Sequence, residues 1–228
     1  MSPRLPARTY SASLIDLMGD WFRSLAHAGV RGLVVLGPDL FGGAQDRLVL
    51  AAHPLDAQPA AYALAGSRDF GENWKRSGAP AVAWQRLGTP PPGVHDAHDA
   101  LWRAPWLARG AQSVVRVGFG LPAGRSFECF VFTQAALEHG DQAAALGWST
   151  LGIWPALKSA LVAAYSPLTP RELQCLVLAF DGLTARASAE RMACTERTVN
   201  FHLANAMAKL KADNKITAIQ RACWLGVI

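Results

Sequence analysis

Leu168-Thr169-Pro170-Arg171-Glu172 and, further on, Thr195-Glu196-Arg197-Thr198-Val199-Asn200-Phe201-His202-Leu203 decide how the C-terminal part of this chain folds. Thr169 to Glu172 is a capping box with proline at the first helical position: the Thr169 oxygen accepts the N–H of residue 172, whose carboxylate reaches back. A helix is therefore predicted to begin at Pro170. From Leu173, the residues Leu176, Val177 and Phe180 fall on one helical face, and Asp181-Gly182 supplies a position that tolerates positive φ at the C-cap. Thr184 caps a second helix running to Met192, and Thr195 caps a third. In that third helix Val199, Leu203, Ala206, Met207 and Leu210 form a stripe that has to be buried, leaving Asn200, Ala204 and Ala208 or Lys211 on another face, free to enter a groove. These side chains are small or polar, which suits a helix lying close to base edges.

The same residues, together with Asp181-Gly182-Leu183-Thr184, Lys209-Leu210 and the closing Leu225-Gly226-Val227-Ile228, resemble the LuxR-type regulators across residues 167–228. The resemblance implies an all-α four-helix helix-turn-helix domain over residues 166–228. Its third helix would read the major groove of double-stranded DNA, and its fourth, about Ile216 to Leu225, would help it dimerise. By position, Asn200 and Ala204 would face bases, while Arg197, Thr198, Asn205 and Lys209 would lie near phosphates. One residue departs from the pattern. Ser188 stands in helix two where such domains carry an apolar residue, and a buried serine is expected to bond back to a helical carbonyl and pack less firmly.

Residues 167–228 hold eight Lys/Arg against five Asp/Glu, a net charge of +3. That is modest for phosphate binding, where each neutralised phosphate contributes through counterion release. A homodimer on an inverted repeat, with half-sites about one helical turn apart, is the physical expectation. The whole chain has 228 residues, 51% hydrophobic and 17% charged, enough for two domains with filled cores. Neither the start, Met1 to Tyr10, nor any other run has signal-peptide or membrane-span character, so a cytoplasmic protein without membrane contact is expected. The four cysteines, Cys129, Cys175, Cys194 and Cys223, show no metal or redox spacing and read as packed thiols.

Residues 1–165 read as a separate domain. Tyr10, Leu14, Leu17, Met18, Trp21, Phe22 and Leu25 mark an amphipathic opening helix that ends at Gly29. Strands are predicted at Gly32–Leu36, Arg47–Ala52 and Ala81–Leu87, with a helical piece around Ala57–Ala65 between the second and third. After the rigid break Thr89-Pro90-Pro91-Pro92-Gly93 comes a helix from about Asp96 to Arg109. A hairpin of Gln112–Phe119 and Ser126–Thr133 follows, then a long helix from about Asp141 to Ala164 that contains Pro155. Helices before, between and after antiparallel strands predict an α/β/α sandwich, making the chain α+β overall.

The segment from Ala108-Arg109-Gly110-Ala111 to Phe132 resembles the matching part of acyl-homoserine-lactone-binding domains, which implies a small-molecule sensor domain. Tyr62, Asp69, Trp84 and Trp102 are the candidate ligand contacts. In such a pocket a carboxylate holds a ligand amide N–H, while indole N–H and phenol groups grip carbonyls. Phe70 follows Asp69 where the family has proline, and Gln58 stands one turn before Tyr62 where it has tryptophan. The signal is thus open between a lactone and another small apolar molecule. His95-Asp96-Ala97-His98-Asp99 lacks a third ligand at fixed spacing, so neither metal nor cofactor is expected. No nucleophile elbow, phosphate loop or paired carboxylates stand in a catalytic setting, and no enzyme is expected. The expected function is transcriptional regulation controlled by a small apolar signal, as in quorum sensing. The alternative is a ligand-independent anti-regulator that pairs with a related regulator.

Overall fold

The computed structural model describes residues 12–43, 46–67, 82–88 and 101–228. The chain divides into two compact units, the second made of Tyr165–Ile228 together with Leu121–Ala123. In chain order the first unit has α1 (Ala12–Ser24), β1 (Val30–Pro38), β2 (Arg47–His53), α2 (Gln58–Gly66), β3 (Val82–Arg86), α3 (Ala104–Ala108), β4 (Ser113–Leu121), β5 (Arg125–Thr133) and α4 (Gly140–Tyr165). The five strands form one sheet in the order β2-β1-β5-β4-β3, and the pairings of β1 with β2 and β5, and of β3 with β4, are antiparallel. This is the sandwich expected from the alternation of helical and strand periodicity. The helix predicted from Asp96 is seen over Ala104–Ala108, and its predicted beginning, with the His95 to Asp99 cluster, lies outside the described residues. The long helix runs through Pro155 as one element.

Period-two alternation along the strands assigns side chains to two sheet faces. On one, Val34 and Leu36 of β1, Val114 of β4 and Phe130 and Phe132 of β5 pack with Ala60, Ala61 and Leu64 of α2 and with Trp102 and Trp106. On the other, α1 and α4 lie side by side, tied by the Trp21 indole N–H donating to the Ser149 hydroxyl at 3.1 Å. There Trp154 of α4 stacks on Phe119 of β4 with ring centroids 3.8 Å apart.

The apolar face ends in an ionic group. Glu128 pairs across the sheet with Leu36 and so shares its face. Its carboxylate accepts from Arg116 Nε at 2.6 Å and from Arg47 at 3.0 Å. Arg47 also donates to the carbonyls of Leu64 and Ser67 at the end of α2. Hydrogen bonds on both carboxylate oxygens are what make such burial tolerable.

Packing on this face requires a glycine at position 32. The Trp106 ring stacks on Phe132 at 3.7 Å and 6°. A Cβ on Gly32 would stand 2.5 Å from Trp106 Cζ3, inside any real contact. Gly32→Ala is therefore expected to destabilise the first unit by about 1–3 kcal/mol through overpacking. Denaturant unfolding checks this, and an unchanged midpoint would show that the indole moves aside freely.

The second unit contains α5 (Pro170–Phe180), α6 (Ala185–Arg191), α7 (Glu196–Lys209) and α8 (Lys215–Leu225) around one apolar core. Every predicted cap is present. The Thr169 hydroxyl accepts from Glu172 N at 3.3 Å while Glu172 Oε2 accepts from Thr169 N at 2.7 Å, closing the capping box. Thr184 and Thr195 cap α6 and α7, and Asn214 caps α8. Gly182, with φ 84°, takes the left-handed position after α5.

Candidate nucleic-acid interface and sensor face

Helix α7 is polarised between core and solvent. Val199, Leu203, Ala206 and Leu210 are buried, with Met207 partly so, as the apolar stripe requires. Arg197, Asn200, Phe201, Ala204 and Ala208 are exposed and recur at three- and four-residue intervals, which places them on one continuous stripe. The N-terminal end of the helix is fixed by the Thr195 hydroxyl, which accepts the Thr198 N–H at 3.1 Å. The turn before it bends at Ala193, whose φ is 51°.

The predicted DNA contacts separate into those on this stripe and those beside it. Arg197, Asn200 and Ala204 are on it, and Asn205 is half-buried at its flank. Thr198 is half-buried too, and its hydroxyl shares a 2.8 Å hydrogen bond with that of Thr195. Lys209 has another occupation: its ammonium donates to Glu172 Oε2 at 2.9 Å, so its charge is spent within the domain. Phe201, 61% exposed in the middle of the stripe, was not among the predicted contacts. Its position next to Asn200, off the buried repeat, is the signal that would have found it. The expected back-bond of Ser188 does not form: the residue is 2% exposed, yet its side chain lines a pocket in this domain.

Burial alone would raise the pKa of Glu172, because desolvation disfavours the carboxylate. The hydrogen bonds from Lys209 and Thr169 outweigh it and hold the carboxyl below its ordinary 4.5. A carboxylate with a depressed folded value contributes stability that is present above its unfolded value and is lost as pH falls through the folded one. The C-terminal domain should therefore weaken below about pH 4.5. Lys209→Met should destabilise it by about 1–3 kcal/mol near neutral pH and shift the onset of acid unfolding upward. Because that charge is already paired, the salt dependence of DNA binding should stay the same; a slope reduced by a full phosphate contact would return Lys209 to the interface.

Of the four predicted ligand contacts of the first unit, the three described ones, Tyr62, Trp84 and Trp102, are not brought together. Trp102 is buried in the apolar cluster, edge-on to Phe132 at 6.5 Å, with the Arg103 guanidinium 5.4 Å from its ring. Tyr62 is 56% exposed on α2, its hydroxyl accepting from Gln58 at 3.4 Å, because Ala60, Ala61 and Leu64 take the inward side of that helix. Trp84 pairs with Val115 across β3 and β4, and its Nε1 points towards Gly140 at the start of α4. It therefore lies on the opposite sheet face from Trp102, and a single cavity against the sheet cannot use both. Asp69 lies outside the described residues.

The neighbouring residue, Gln85, pairs with Val114 and so faces the Trp102 cluster. Gln85 Nε2 and Trp106 Nε1 are both buried donors without a hydrogen-bond partner among the described residues. Gln85 carries no signal in the sequence beyond its place in a strand, whereas Trp106, four residues after Trp102, stands where an aromatic pair on one helix face can line a pocket.

Residues 166–222 match the family model described as "Bacterial regulatory proteins, luxR family". Among similar proteins, the transcriptional activator AnoR of Acinetobacter nosocomialis is 48% identical over 61 residues, covering 27% of this chain and 26% of that protein. LuxR of Aliivibrio fischeri is 41% identical over 61 residues, covering 27% of this chain and 24% of that protein. The chain thus matches about a quarter of the length of these curated relatives. Over nearly its full length the fold is similar to the crystal structure of Escherichia coli SdiA. That match has a TM-score of 0.54 and 19% identity, covering 97% of this chain and 93% of that one. SdiA has also been solved in complex with octanoyl-rac-glycerol, where the TM-score is 0.50 and identity 18% over 95% of this chain and 89% of that one.

Proposed function

We propose that this chain, whose residues 166–222 match the luxR family of bacterial regulatory proteins, is a transcriptional regulator that reads double-stranded DNA through α7 and is controlled by a small apolar signal in its N-terminal unit. The observation that carries the reading is the division of α7. Its apolar side is used up in the core, while Arg197, Asn200, Phe201 and Ala204 stand unburied in one line. Asn200 has the amide that pairs bidentately with adenine, Phe201 and Ala204 offer apolar contact to thymine methyls, and Arg197 reaches a phosphate at the groove edge. The protein acts as a homodimer on an inverted repeat in the cytoplasm. Ile216, 77% exposed on α8, supports pairing through that helix.

Asn200→Ala should lose about 1–3 kcal/mol of specific binding with the fold intact, and Arg197→Ala should weaken all sequences alike. Binding titrations on duplexes selected from host DNA check both, and an Asn200→Ala protein with full selectivity would remove the base-reading role.

The sensor reading rests on the fold shared with SdiA, which binds octanoyl-rac-glycerol in one of its structures. It rests also on the Trp102–Trp106–Phe132 floor with the two unpartnered donors, Gln85 Nε2 and Trp106 Nε1. Donors without acceptors on an apolar floor suit an acyl chain carrying carbonyl oxygens, whether lactone or ester. Such a signal can shift the DNA-binding equilibrium only through its differential affinity for the two states. Native mass spectrometry of protein made in its own host should show a copurified acyl compound that raises the melting temperature on re-addition. Protein that arrives empty and gains no stability from acyl lactones or acyl glycerols would leave regulation by pairing with a related chain.

A further inference from the structure

We propose that the pocket beside Ser188 in the C-terminal domain is a binding site for a short aliphatic monocarboxylate, distinct from the sensor face of the first unit. The pocket has a volume of about 230 Å³. Its walls include Leu183, Leu203 and Met207, and its polar groups are Ser188, Asn200 and Lys215. Serine at position 188 of α6 puts a two-atom side chain where the helix faces the core, and the residue is 2% exposed. Its backbone N–H is satisfied by the Thr184 carbonyl, but its hydroxyl has no partner among the described residues. Asn200 and Lys215 likewise make no side-chain hydrogen bond or ion pair there.

These three groups share one chemistry. A hydroxyl, an amide NH₂ and an ammonium all donate, and a carboxylate is an acceptor-only head that takes all three, the last with charge assistance. A head that only donates would meet Lys215 unfavourably. Ser188, Asn200 and Lys215 give the polar end of the pocket to a head group, and the walls of Leu183, Leu203 and Met207 give the remainder to a hydrocarbon tail. The volume is larger than the roughly 150 Å³ cavity that holds benzene and smaller than the roughly 300 Å³ at which drug-sized pockets begin. A ligand of about eight heavy atoms, such as hexanoate, fits that interval. When bound, its head would engage the Asn200 amide and compete with adenine. That consequence rests on the proposed DNA reading; the site itself does not.

The test uses the full chain with ¹³C-labelled methionine methyls and sodium hexanoate as the probe. Hexanoate should move the Met207 methyl resonance saturably and leave Met18, in α1, in place. Hexanamide should bind about tenfold more weakly for want of the charge, and Lys215→Gln should bring hexanoate down to the amide's level. Ser188→Ile fills the pocket and should abolish the Met207 response; where that variant does not fold, Ser188→Val narrows the pocket to the same end. A shift that never saturates, appears equally at Met18 or survives filling of the pocket overturns the proposal and leaves a packing defect. Hexanoate should also displace a bound duplex from the wild-type protein. Saturable Met207 binding without displacement would keep the site and overturn the role of Asn200 on DNA.

Discussion

The carboxylate of Glu172 ties the start of α5 to the end of α7 in the C-terminal domain. It is 3% exposed, accepts the N–H of Thr169 at the start of α5 and receives the ammonium of Lys209 from the last turn of α7. One acidic group thus satisfies an orphan donor of one helix and anchors the far end of another. A buried carboxylate stripped of either partner would be unfavourable enough to displace the helix, so the angle between α5 and α7 is set by a directional contact as well as by packing. Arg221 of α8 adds a second clamp at the same end, donating to the carbonyls of Leu210 and Lys211 that α7 leaves unpaired. The exposed stripe of α7 is presented from a fixed C-terminal end.

The side facing α6 is built differently. There Ala193 adopts a left-handed conformation that disfavours an L-residue by about 1–2 kcal/mol, and Ser188 contributes no apolar packing. The helix is firm at one end and less well supported at the turn.

How much of this was legible in the sequence follows from the range of each interaction. The caps at Thr169, Thr184 and Thr195, the buried stripe of α7 and the alternation along β1 and β5 are set within a few residues, and all could be read. Lys209 could not, because its spacing places it near phosphates while its partner lies 37 residues earlier. Trp84 and Gln85 illustrate the same limit in a strand: alternation says that they face opposite ways, but not which one meets Trp102. Tyr62 misled through side-chain size. An aromatic on a short helix invites an inward reading, yet close packing on the sheet was achieved by alanines at 60 and 61, which turned the ring outward.

The use of charge within the C-terminal domain bears on its assembly. Of the eight cations in residues 167–228, Lys209 is held by Glu172, Arg186 lies 3.4 Å from Glu190, and Arg221 is engaged with the end of α7. The net charge of +3 already counts the carboxylates of Glu172 and Glu190, and with Lys209, Arg186 and Arg221 engaged, at most five of the eight cations are left to meet a phosphate backbone. Since each phosphate neutralised steepens the salt dependence by only about 0.9, a domain with so few cations to spare binds weakly alone at physiological salt. Two copies double the phosphate contacts and make the second engagement intramolecular, which raises affinity without any new type of contact. On the proposed DNA reading, sequence-specific binding by so lightly charged a domain depends on pairing.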